Sequence, residues 1–329
     1  MNLKNKKVLI TGAGGFIGSH LTEQLIKSGA RVRVFLRYNS RGDIGYLNEF
    51  NKDVLDNIEI IRGDLKNMDS VTRAVKDVNV IFHLGALISI PYSYVDPRDY
   101  ADTNIIGTLN ILKAAQEQNT EKVIITSTSE TYGTALYSPI NESHPMQAQS
   151  PYAATKISAD KIAESFNKSF NLPVSIIRPF NTYGPRQSTR AVIPTIIYQA
   201  LTGNKIKLGN LSPKRDFTFV EDTVKGFIKI AESDNSIGET INIGYGETIS
   251  IGELVKAVEE ILGKKLIIES EESKNRPDES EVKLLLCDNS KAKKLINWEP
   301  QVSLKEGLKK TIDYIKEHLD EYKEERGNI

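Results

Sequence analysis

The 329-residue sequence has little of several features that would narrow its function at once. Its one cysteine, Cys287, excludes an internal disulfide framework and is typical of a reducing compartment. The 43 basic and 43 acidic residues cancel, so net charge favours neither nucleic acid nor a membrane surface as partner. No apolar run approaches the ~20 residues of a membrane-spanning helix, and residues 1–7 lack the apolar core of a signal peptide. The sequence therefore predicts a cytoplasmic protein.

The first half of the sequence alternates short β-rich runs with helical stretches. The predicted strands cover residues 7–11, 31–36, 58–62, 78–83, 122–127 and 174–178. The predicted helices cover residues 16–28, 68–75, about 102–119 and about 152–170. Because strands that alternate with helices pair in parallel through right-handed crossovers, this pattern predicts an α/β fold with a Rossmann-type doubly wound parallel sheet.

The regular alternation stops after residues 178–185, where shorter elements begin. Helical or strand patterns follow at residues 192–202, 217–220, 241–243 and 251–262, and a charged amphipathic helix is predicted at 304–325. We therefore predict a dinucleotide-binding domain at residues 1–182 and a smaller C-terminal α/β substrate domain at residues 183–329. One or two segments near residues 215–245 are expected to return to the main sheet.

A glycine-rich loop joins the first predicted strand to the first predicted helix. Gly12, Gly15 and Gly18 have the spacing G-x-x-G-x-x-G, and Phe16 and Ile17 stand between the last two glycines at the start of the helix. Glycines let the backbone approach a pyrophosphate, and a helix N-terminus supplies N–H donors and a partial positive charge. The loop therefore predicts a bound dinucleotide cofactor.

The residues after the second predicted strand bear on which dinucleotide binds. A site that prefers NAD usually has an acidic residue there, which accepts hydrogen bonds from the ribose 2′-hydroxyl. Here the strand runs into Arg37, with Ser40 close behind, and such donors favour a 2′-phosphate. The sequence thus favours NADP and leaves NAD open. After the third strand, Asp64 and Leu65 are predicted to frame the adenine.

Tyr152 and Lys156 are four residues apart, so a helix places them on one face. An ordinary tyrosine has a pKa of about 10, and a lysine ammonium and a nicotinamide cation beside it both favour the phenolate. Tyr152 is therefore predicted to act as a base, while Lys156 also holds the nicotinamide ribose. The run Thr128-Ser129-Glu130 follows the fifth strand and adds a carboxylate to this redox centre, which indicates chemistry beyond oxidation.

Together these motifs resemble the extended short-chain dehydrogenases/reductases that act on nucleotide sugars. The similarity extends from the Gly12 loop to residues 298–300. Family epimerases usually have a small residue where this chain has Glu130, whereas sugar-nucleotide 4,6-dehydratases have a glutamate. Residues 127–133 are similar to GDP-mannose 4,6-dehydratase, and residues 86–94 are similar to the N-acetylglucosamine 4,6-dehydratases of legionaminic acid biosynthesis.

The resemblance implies an internal redox reaction that yields a 4-keto-6-deoxy sugar. Tyr152 takes the proton of the sugar C4 hydroxyl while hydride moves to the cofactor, and Thr128 orients the ring. Glu130 removes the C5 proton, which the new C4 ketone has made acidic; water then leaves from C6 and hydride returns there. The dTDP-glucose enzymes have an aspartate where this chain has Ser129, so the leaving water takes its proton from Glu130 or from a water bound to Ser129.

The resemblance also implies how the substrate is bound. Asn181, Arg215 and Arg276 match positions that in the family contact the sugar diphosphate. The expected substrate is N-acetylglucosamine linked to GDP or UDP, with dTDP left open. The helices that begin near Asp102 and Tyr152 are expected to form a four-helix bundle in a homodimer.

Two other functions stay open at the level of the sequence. A C4 epimerase of the same fold needs the 4-keto sugar to rotate and needs no base at position 130. A non-catalytic, cofactor-sensing Rossmann protein has no reason to keep Tyr152, Lys156 and Glu130 together. No cluster of His, Cys and Asp has metal-ligand spacing, so no metal is predicted.

Overall fold

The computed structural model of the chain describes residues 1–271 and 282–327. Its strands, in chain order, are β1 (Lys7–Thr11), β2 (Arg31–Arg37), β3 (Glu59–Gly63), β4 (Val80–His83), β5 (Lys122–Thr126), β6 (Val174–Pro179), β7 (Asn181–Tyr183), β8 (Lys205–Leu208), β9 (Lys214–Arg215), β10 (Phe217–Phe219), β11 (Thr240–Ile243), β12 (Ile249–Ser250), β13 (Ile267–Ser270) and β14 (Leu284–Leu285). Seven of these strands form one parallel sheet in the order β11-β6-β5-β4-β1-β2-β3.

Helices connect the strands and cover both faces of this sheet. In chain order they are α1 (Phe16–Lys27), α2 (Lys52–Leu55), α3 (Met68–Val75), α4 (Ile90–Val95), α5 (Pro97–Tyr100), α6 (Gly107–Glu117), α7 (Pro151–Phe170), α8 (Val192–Thr202), α9 (Val220–Glu232), α10 (Ile251–Leu262), α11 (Ser290–Ile296), α12 (Leu304–Glu317) and α13 (Leu319–Gly327). A π-helical turn, Ala101–Ile106, joins α5 to α6, and a short 3₁₀ turn, Ser129–Tyr132, follows β5. In the part of the chain described here, no helix is both long and apolar enough to cross a membrane.

Successive side chains of the central strands point to opposite faces and fill two separate cores. Val8 and Ile10 of β1 belong to a core that contains residues of α1 and α9, whereas Leu9 belongs to one that contains residues of α3, α6 and α7. All three are fully buried. Because both faces are covered, the strand is a continuous apolar run instead of an alternating one. The predicted Rossmann-type doubly wound parallel sheet is confirmed.

The residues after β6 form small sheets and one addition to the main sheet. β7 pairs with β10, β8 pairs with β13, and β9 lies between β12 and β14. β11 pairs in parallel with β6 at the edge of the seven-stranded sheet, so one segment of the predicted 215–245 region returns there. The division into domains at residues 1–182 and 183–329 stays a prediction.

Most predicted elements have the expected bounds, and the differences have local causes. The predicted helix at about 102–119 is the π-helical turn followed by α6. The predicted 304–325 helix is interrupted at His318, whose N–H bonds to the carbonyls of both Tyr314 and Ile315 and so ends α12. The sequence pattern does not reveal this interruption, because the charged residues continue through both helices.

Candidate active site

A cleft of about 690 Å³ opens along the carboxyl ends of the parallel strands. In an open α/β sheet this edge is where ligands bind, because the loops there diverge to either side of the sheet. The cleft is lined by residues at or just beyond the carboxyl ends of successive strands: Thr11 and Gly12 at β1, Leu36 and Arg37 at β2, Gly63 and Asp64 at β3, Leu84 and Gly85 at β4, Thr126 to Glu130 at β5, and Pro179 to Thr182 at β6. The fold thus brings most of the predicted site residues into one space.

The glycine loop has no room for side chains. Gly12 has φ +72°, and a Cβ there would lie 2.8 Å from the amide nitrogen of Gly85. A Cβ at Gly18 would lie 2.1 Å from the carbonyl oxygen of Gly12. No side chain caps the N-terminus of α1, so its first N–H groups stay open to the cleft beside Gly15. These features fit the pyrophosphate of a dinucleotide.

A second loop closes over the glycine loop. Tyr46 donates its N–H to the carbonyl of Gly14 at 3.0 Å, which holds the segment after β2 against that loop. This contact brings Asp43 to the cleft beside Arg37, whereas Ser40 is not among the lining residues. Oδ1 of Asp43 accepts from the Gly45 N–H at 2.9 Å and from the Asn48 side-chain amide at 3.0 Å, and these bonds hold the carboxylate. The expectation of NADP considered only residues close behind β2 and missed this acid.

The catalytic end of the cleft contains Tyr152, Thr128 and Glu130. Tyr152 is 7% exposed, and its side chain is hydrogen-bonded to that of Thr128. Burial raises the pKa of Tyr152 above its ordinary value, and the nearby charge of Glu130 raises it further, although the Thr128 hydrogen bond acts the other way. The sequence expectation of a lowered pKa counted a nicotinamide cation beside the phenol, whereas desolvation and a carboxylate act in the opposite direction. The protein surroundings by themselves favour the neutral phenol, so a base role for Tyr152 needs added positive charge beside it.

Lys156 lies one helical turn beyond Tyr152 and is 4% exposed. Burial lowers the pKa of its ammonium, and the charge of Asp160 opposes that shift. Within residues 1–271 and 282–327 the ammonium has no hydrogen-bond acceptor. Its N–H donors are therefore available to a ligand, and the hydroxyls of a ribose are suitable acceptors. Lys156 therefore fits its predicted place beneath the cofactor.

His83 ends β4 beneath the cleft and is not arranged as a proton carrier. Thr11 accepts the Gly85 N–H and donates its own hydroxyl to Nδ1 of His83 at 2.8 Å. Thr108 donates to the carbonyl of Asn104, so Nε2 of His83 donates to Thr108 at 3.1 Å. Burial and the charge of Lys156 lower the pKa of His83 to about 3. The ring is therefore a neutral spacer between β1 and α6.

The residues predicted to bind the substrate only partly coincide with the cleft. Asn181 lines the cleft together with Gln187, which sequence reasoning had not singled out. Arg215 lies in β9, is largely buried, donates to the carbonyl of Lys214, and is not among the lining residues. Arg276 lies outside the described residues. The proposed contacts of both arginines with a diphosphate stay predictions.

No metal centre accompanies this cleft in the described ranges, where no group of three or more His, Cys, Asp or Glu side chains is arranged to hold an ion. The sequence missed Asp43 and Gln187 because each reaches the cleft through a loop whose path depends on tertiary contacts. For Asp43 a signal existed: it is the first carboxylate after β2.

Comparisons with known proteins identify the family of the chain. A family model described as GDP-mannose 4,6 dehydratase matches residues 9–311. The UDP-glucuronate 4-epimerase of Thermodesulfobacterium geofontis is 32% identical over 322 residues, which cover 95% of this chain and 97% of that protein. The UDP-glucuronic acid 4-epimerase of Bacillus cereus, solved with UDP-glucuronic acid and NAD, aligns with a TM-score of 0.86 at 33% identity, over 95% of this chain and 99% of that one. The dTDP-glucose 4,6-dehydratase DesIV of Streptomyces venezuelae, solved with NAD, aligns with a TM-score of 0.85 at 25% identity, over 97% and 99% of the two chains.

Proposed function

The chain belongs to the GDP-mannose 4,6-dehydratase family of extended short-chain dehydrogenases/reductases, and on this premise we propose that it is a nucleotide-sugar 4,6-dehydratase. The broader statement, an enzyme that modifies nucleotide sugars, follows from the family itself. The finer one rests on a single observation: a carboxylate, Glu130, lies in the cleft close enough to Tyr152 to raise its pKa beyond the effect of burial.

The first half of the reaction needs a base at the sugar C4 hydroxyl. Tyr152 accepts this proton, and Thr128, already bonded to Tyr152, is placed to orient the same sugar oxygen. A nicotinamide dinucleotide, when bound, supplies the hydride acceptor and donor, and its positive ring lowers the barrier to forming the phenolate. Lys156, with an ammonium that lacks protein acceptors, holds the ribose and adds positive charge beneath the phenol.

The second half needs a base that reaches C5. A C4 ketone makes the C5 proton acidic, and Glu130 is the carboxylate at this end of the cleft that can remove it. Ser129 beside it is only 2% exposed and has a hydroxyl, which is a poor acid. Glu130 therefore serves first as the base and then as the acid for the water that leaves from C6. Reduction of the resulting C5–C6 double bond takes a hydride at C6 and a solvent proton at C5, which is the proton that D₂O would label.

A C4 epimerase is the second candidate, and the named relatives favour it. The proteins of Thermodesulfobacterium geofontis and Bacillus cereus described above are both 4-epimerases, at 32% and 33% identity, whereas the dehydratase DesIV is 25% identical. The chemistry at Tyr152 is the same for both reactions, so similarity over the whole chain does not separate them. The presence of Glu130 favours the dehydratase, since an epimerase has no proton to remove at C5.

The charges of the cleft support a sugar that is neutral at C6. Among the described residues that line the cleft, the charged ones other than Glu130 follow β2 and β3, at the end away from Tyr152: Arg37, Asp43, Asp64 and Lys66. A uronic acid would place its carboxylate beside Glu130, where none of the described lining residues is a cation and the ammonium of Lys156, which lies beneath the phenol, is not part of the lining. We therefore favour a hexose or N-acetylhexosamine, with N-acetylglucosamine linked to GDP or UDP as the substrate that residues 86–94 resemble.

For the cofactor we favour NAD over the NADP that the sequence suggested. Asp43 can accept hydrogen bonds from a ribose 2′-hydroxyl, and its charge opposes a 2′-phosphate. The solved relatives from Bacillus cereus and Streptomyces venezuelae contain NAD. Arg37 lines the same part of the cleft and keeps NADP as the alternative.

We also propose that the chain forms a homodimer through a four-helix bundle, as first expected from the family. Two exposed apolar side chains support it: Ile106, 42% exposed in the π-helical turn, and Phe170, 52% exposed at the end of α7. Light scattering of the wild type and of Ile106→Glu tests this directly. A monomeric wild type would contradict the dimer.

The function is tested by incubating the purified protein with GDP-, UDP- and dTDP-linked sugars in D₂O and weighing the products by mass spectrometry. Loss of one water with one deuterium gained at C5, without added cofactor, is the expected result, and the sugar that reacts identifies the nucleotide. An isomer of unchanged mass would establish the epimerase instead. No reaction with any sugar would favour a cofactor-sensing binding protein.

A further inference from the structure

A buried polar network lies directly behind the catalytic segment. It consists of Ser127, Tyr132, Asp160, Arg178 and Asn242, of which the last four are fully buried and Ser127 is 4% exposed. Of the five, only Ser127 lines the cleft. Buried charges are costly to keep, and the reaction proposed above gives these groups no direct role. Their hydrogen bonds indicate a structural role at the two ends of the catalytic segment.

One end of the network fixes the residue before the catalytic segment. Asp160 lies two helical turns beyond Tyr152 and one beyond Lys156 on α7. Ser127 donates its hydroxyl to Oδ2 of Asp160 at 2.6 Å, and Arg178 donates Nη2 to the same oxygen at 2.7 Å. Nε of Arg178 also donates to the Ser127 hydroxyl at 3.2 Å. The end of β5 is thereby tied to the helix that carries Tyr152 and Lys156.

The other end fixes the residue after the segment. Arg178 donates Nη1 to the Tyr132 hydroxyl at 2.6 Å, and its guanidinium lies 4.6 Å from the centre of that ring. The Tyr132 hydroxyl in turn donates a hydrogen bond to Oδ1 of Asn242 at 2.8 Å. Burial raises the pKa of Tyr132 to about 12, so this hydroxyl stays a donor. One guanidinium therefore contacts both flanks of Thr128 to Thr131.

Resting on the proposed dehydratase, we infer that Arg178 and Asp160 form a clamp that holds the Thr128–Thr131 turn at both ends and thereby sets the position of Glu130 relative to Tyr152. Arg178 and Asp160 are positioning residues, since neither of them lines the cleft. Oxidation at C4 depends first on Tyr152, which lies on α7 outside the clamped turn, and Thr128 within the turn contributes one hydrogen bond to it. Proton removal at C5 depends on Glu130, which lies within the clamped turn.

The clamp therefore predicts a selective defect when it is loosened from the Tyr132 side. Tyr132→Phe removes one hydroxyl and keeps the ring, which packs against His144 and Phe180. A displacement of about 1 Å at a reacting group costs up to about 10²-fold in rate. We expect elimination of water to fall by at least about tenfold relative to C4 oxidation, with KM little changed.

The measurement is the ratio of two products in a single turnover of the purified full-length enzyme. Trapping with borodeuteride labels any 4-keto sugar at C4, and mass spectrometry then separates the 6-deoxy product from the sugar that kept its C6 hydroxyl. Tyr183→Phe is the matched control, because Tyr183 is also a buried tyrosine whose hydroxyl donates one hydrogen bond, to the Leu304 carbonyl at 3.2 Å, outside the clamp. A general loss of stability would lower both products together in both variants.

The clamp is supported if Tyr132→Phe shifts the ratio towards the 6-hydroxy sugar and Tyr183→Phe does not. Ser127→Ala removes the hydrogen bonds at the other end of the clamp and should shift the product ratio in the same direction. It replaces Tyr132→Phe as the test if that variant does not fold. An unchanged ratio in a folded variant of either clamp end overturns the inference. A wild type that yields no 6-deoxy product at all overturns the proposed function instead.

Discussion

Tyr152, whose pKa is raised by burial, lies close enough to Glu130 that the carboxylate raises the pKa further. The two groups share the catalytic end of the cleft, one on α7 and one in the turn after β5. In the proposed reaction the two groups have separate tasks, Tyr152 at the C4 hydroxyl and Glu130 at C5. Pairs of titratable groups in different environments are how acid and base roles are divided.

Replacing the carboxylate tests its task directly. Glu130→Gln should lower the dehydration rate by about 10²–10⁴, the range for a positioned acid/base, while C4 oxidation continues. Single-turnover mass spectrometry measures both. Glu164→Gln on the outer side of α7, where Glu164 pairs with Lys161, is the control and should behave as wild type. Near-wild-type dehydration by Glu130→Gln would make this residue a bystander.

The same variant should change the pH dependence of the first half-reaction. Removing the charge of Glu130 takes away one of the causes that raise the Tyr152 pKa, so that pKa falls. Because C4 oxidation needs the phenolate, the rise of its rate with pH should move to lower pH in Glu130→Gln. Stopped-flow measurement across the pH range checks the direction. A shift to higher pH would mean that the two groups do not interact as described.

Cofactor preference should depend on the two charges after β2. Asp43→Asn should weaken NAD relative to NADP by about tenfold, since one charge-assisted hydrogen bond contributes about 1.5–3 kcal/mol. Arg37→Ala should weaken NADP and leave NAD nearly unchanged. Dissociation constants from fluorescence titration, without any sugar, are the readout. If Asp43→Asn binds both cofactors as wild type does, the ribose is recognised elsewhere.

The glycine loop should not tolerate a methyl group. Gly18→Ala places a Cβ 2.1 Å from the Gly12 carbonyl oxygen, so the loop must move and the pyrophosphate cradle opens. We expect cofactor affinity to fall by at least about 10²-fold, as the backbone donors lose their alignment. Gly252→Ala is the matched helical control, because its Cβ would be 3.8 Å from Leu211. Equal cofactor affinity in the two variants would contradict this account of the loop.

His83 should make the fold sensitive to acid. The pKa of His83 is about 3 in the folded chain, whereas an unperturbed histidine has a pKa of 6.5. Between about pH 3 and pH 6.5 the unfolded chain therefore binds one proton more than the folded chain. Stability is therefore full above about pH 6.5 and is lost as pH falls. From about pH 7.5 to about pH 5.5 this group lowers the free energy of unfolding by about 1.4 kcal/mol.

His83→Gln keeps a donor and an acceptor but does not titrate. Urea unfolding of both proteins at the two pH values isolates the contribution of His83 from that of other groups. The wild type should lose more stability than the variant on acidification. Equal losses would show that the ring is not held neutral.

Local patterns predicted the strands and helices of the dinucleotide half closely. Residues 7–11 and 68–75 have the predicted bounds, because hydrophobic periodicity and capping act over a few neighbouring residues. The glycine spacing and the Tyr152/Lys156 pair are equally local, so the sequence could predict a dinucleotide cofactor and a base. The π-helical turn at Ala101–Ile106 was missed, since its pattern is that of an ordinary helix.

Residues that meet only through folding were beyond such reasoning. Asp43 reaches the cleft because Tyr46 bonds to Gly14, and Arg178 joins Ser127 to Tyr132 because β5 and β6 are neighbours in the sheet. The raised pKa of Tyr152 likewise depends first on burial, which no spacing reveals. The sequence by itself determined the fold class, and it predicted the cofactor loop and the catalytic residues. The tertiary structure alone decided which charges face one another and how dry their surroundings are, because both depend on contacts between distant parts of the chain.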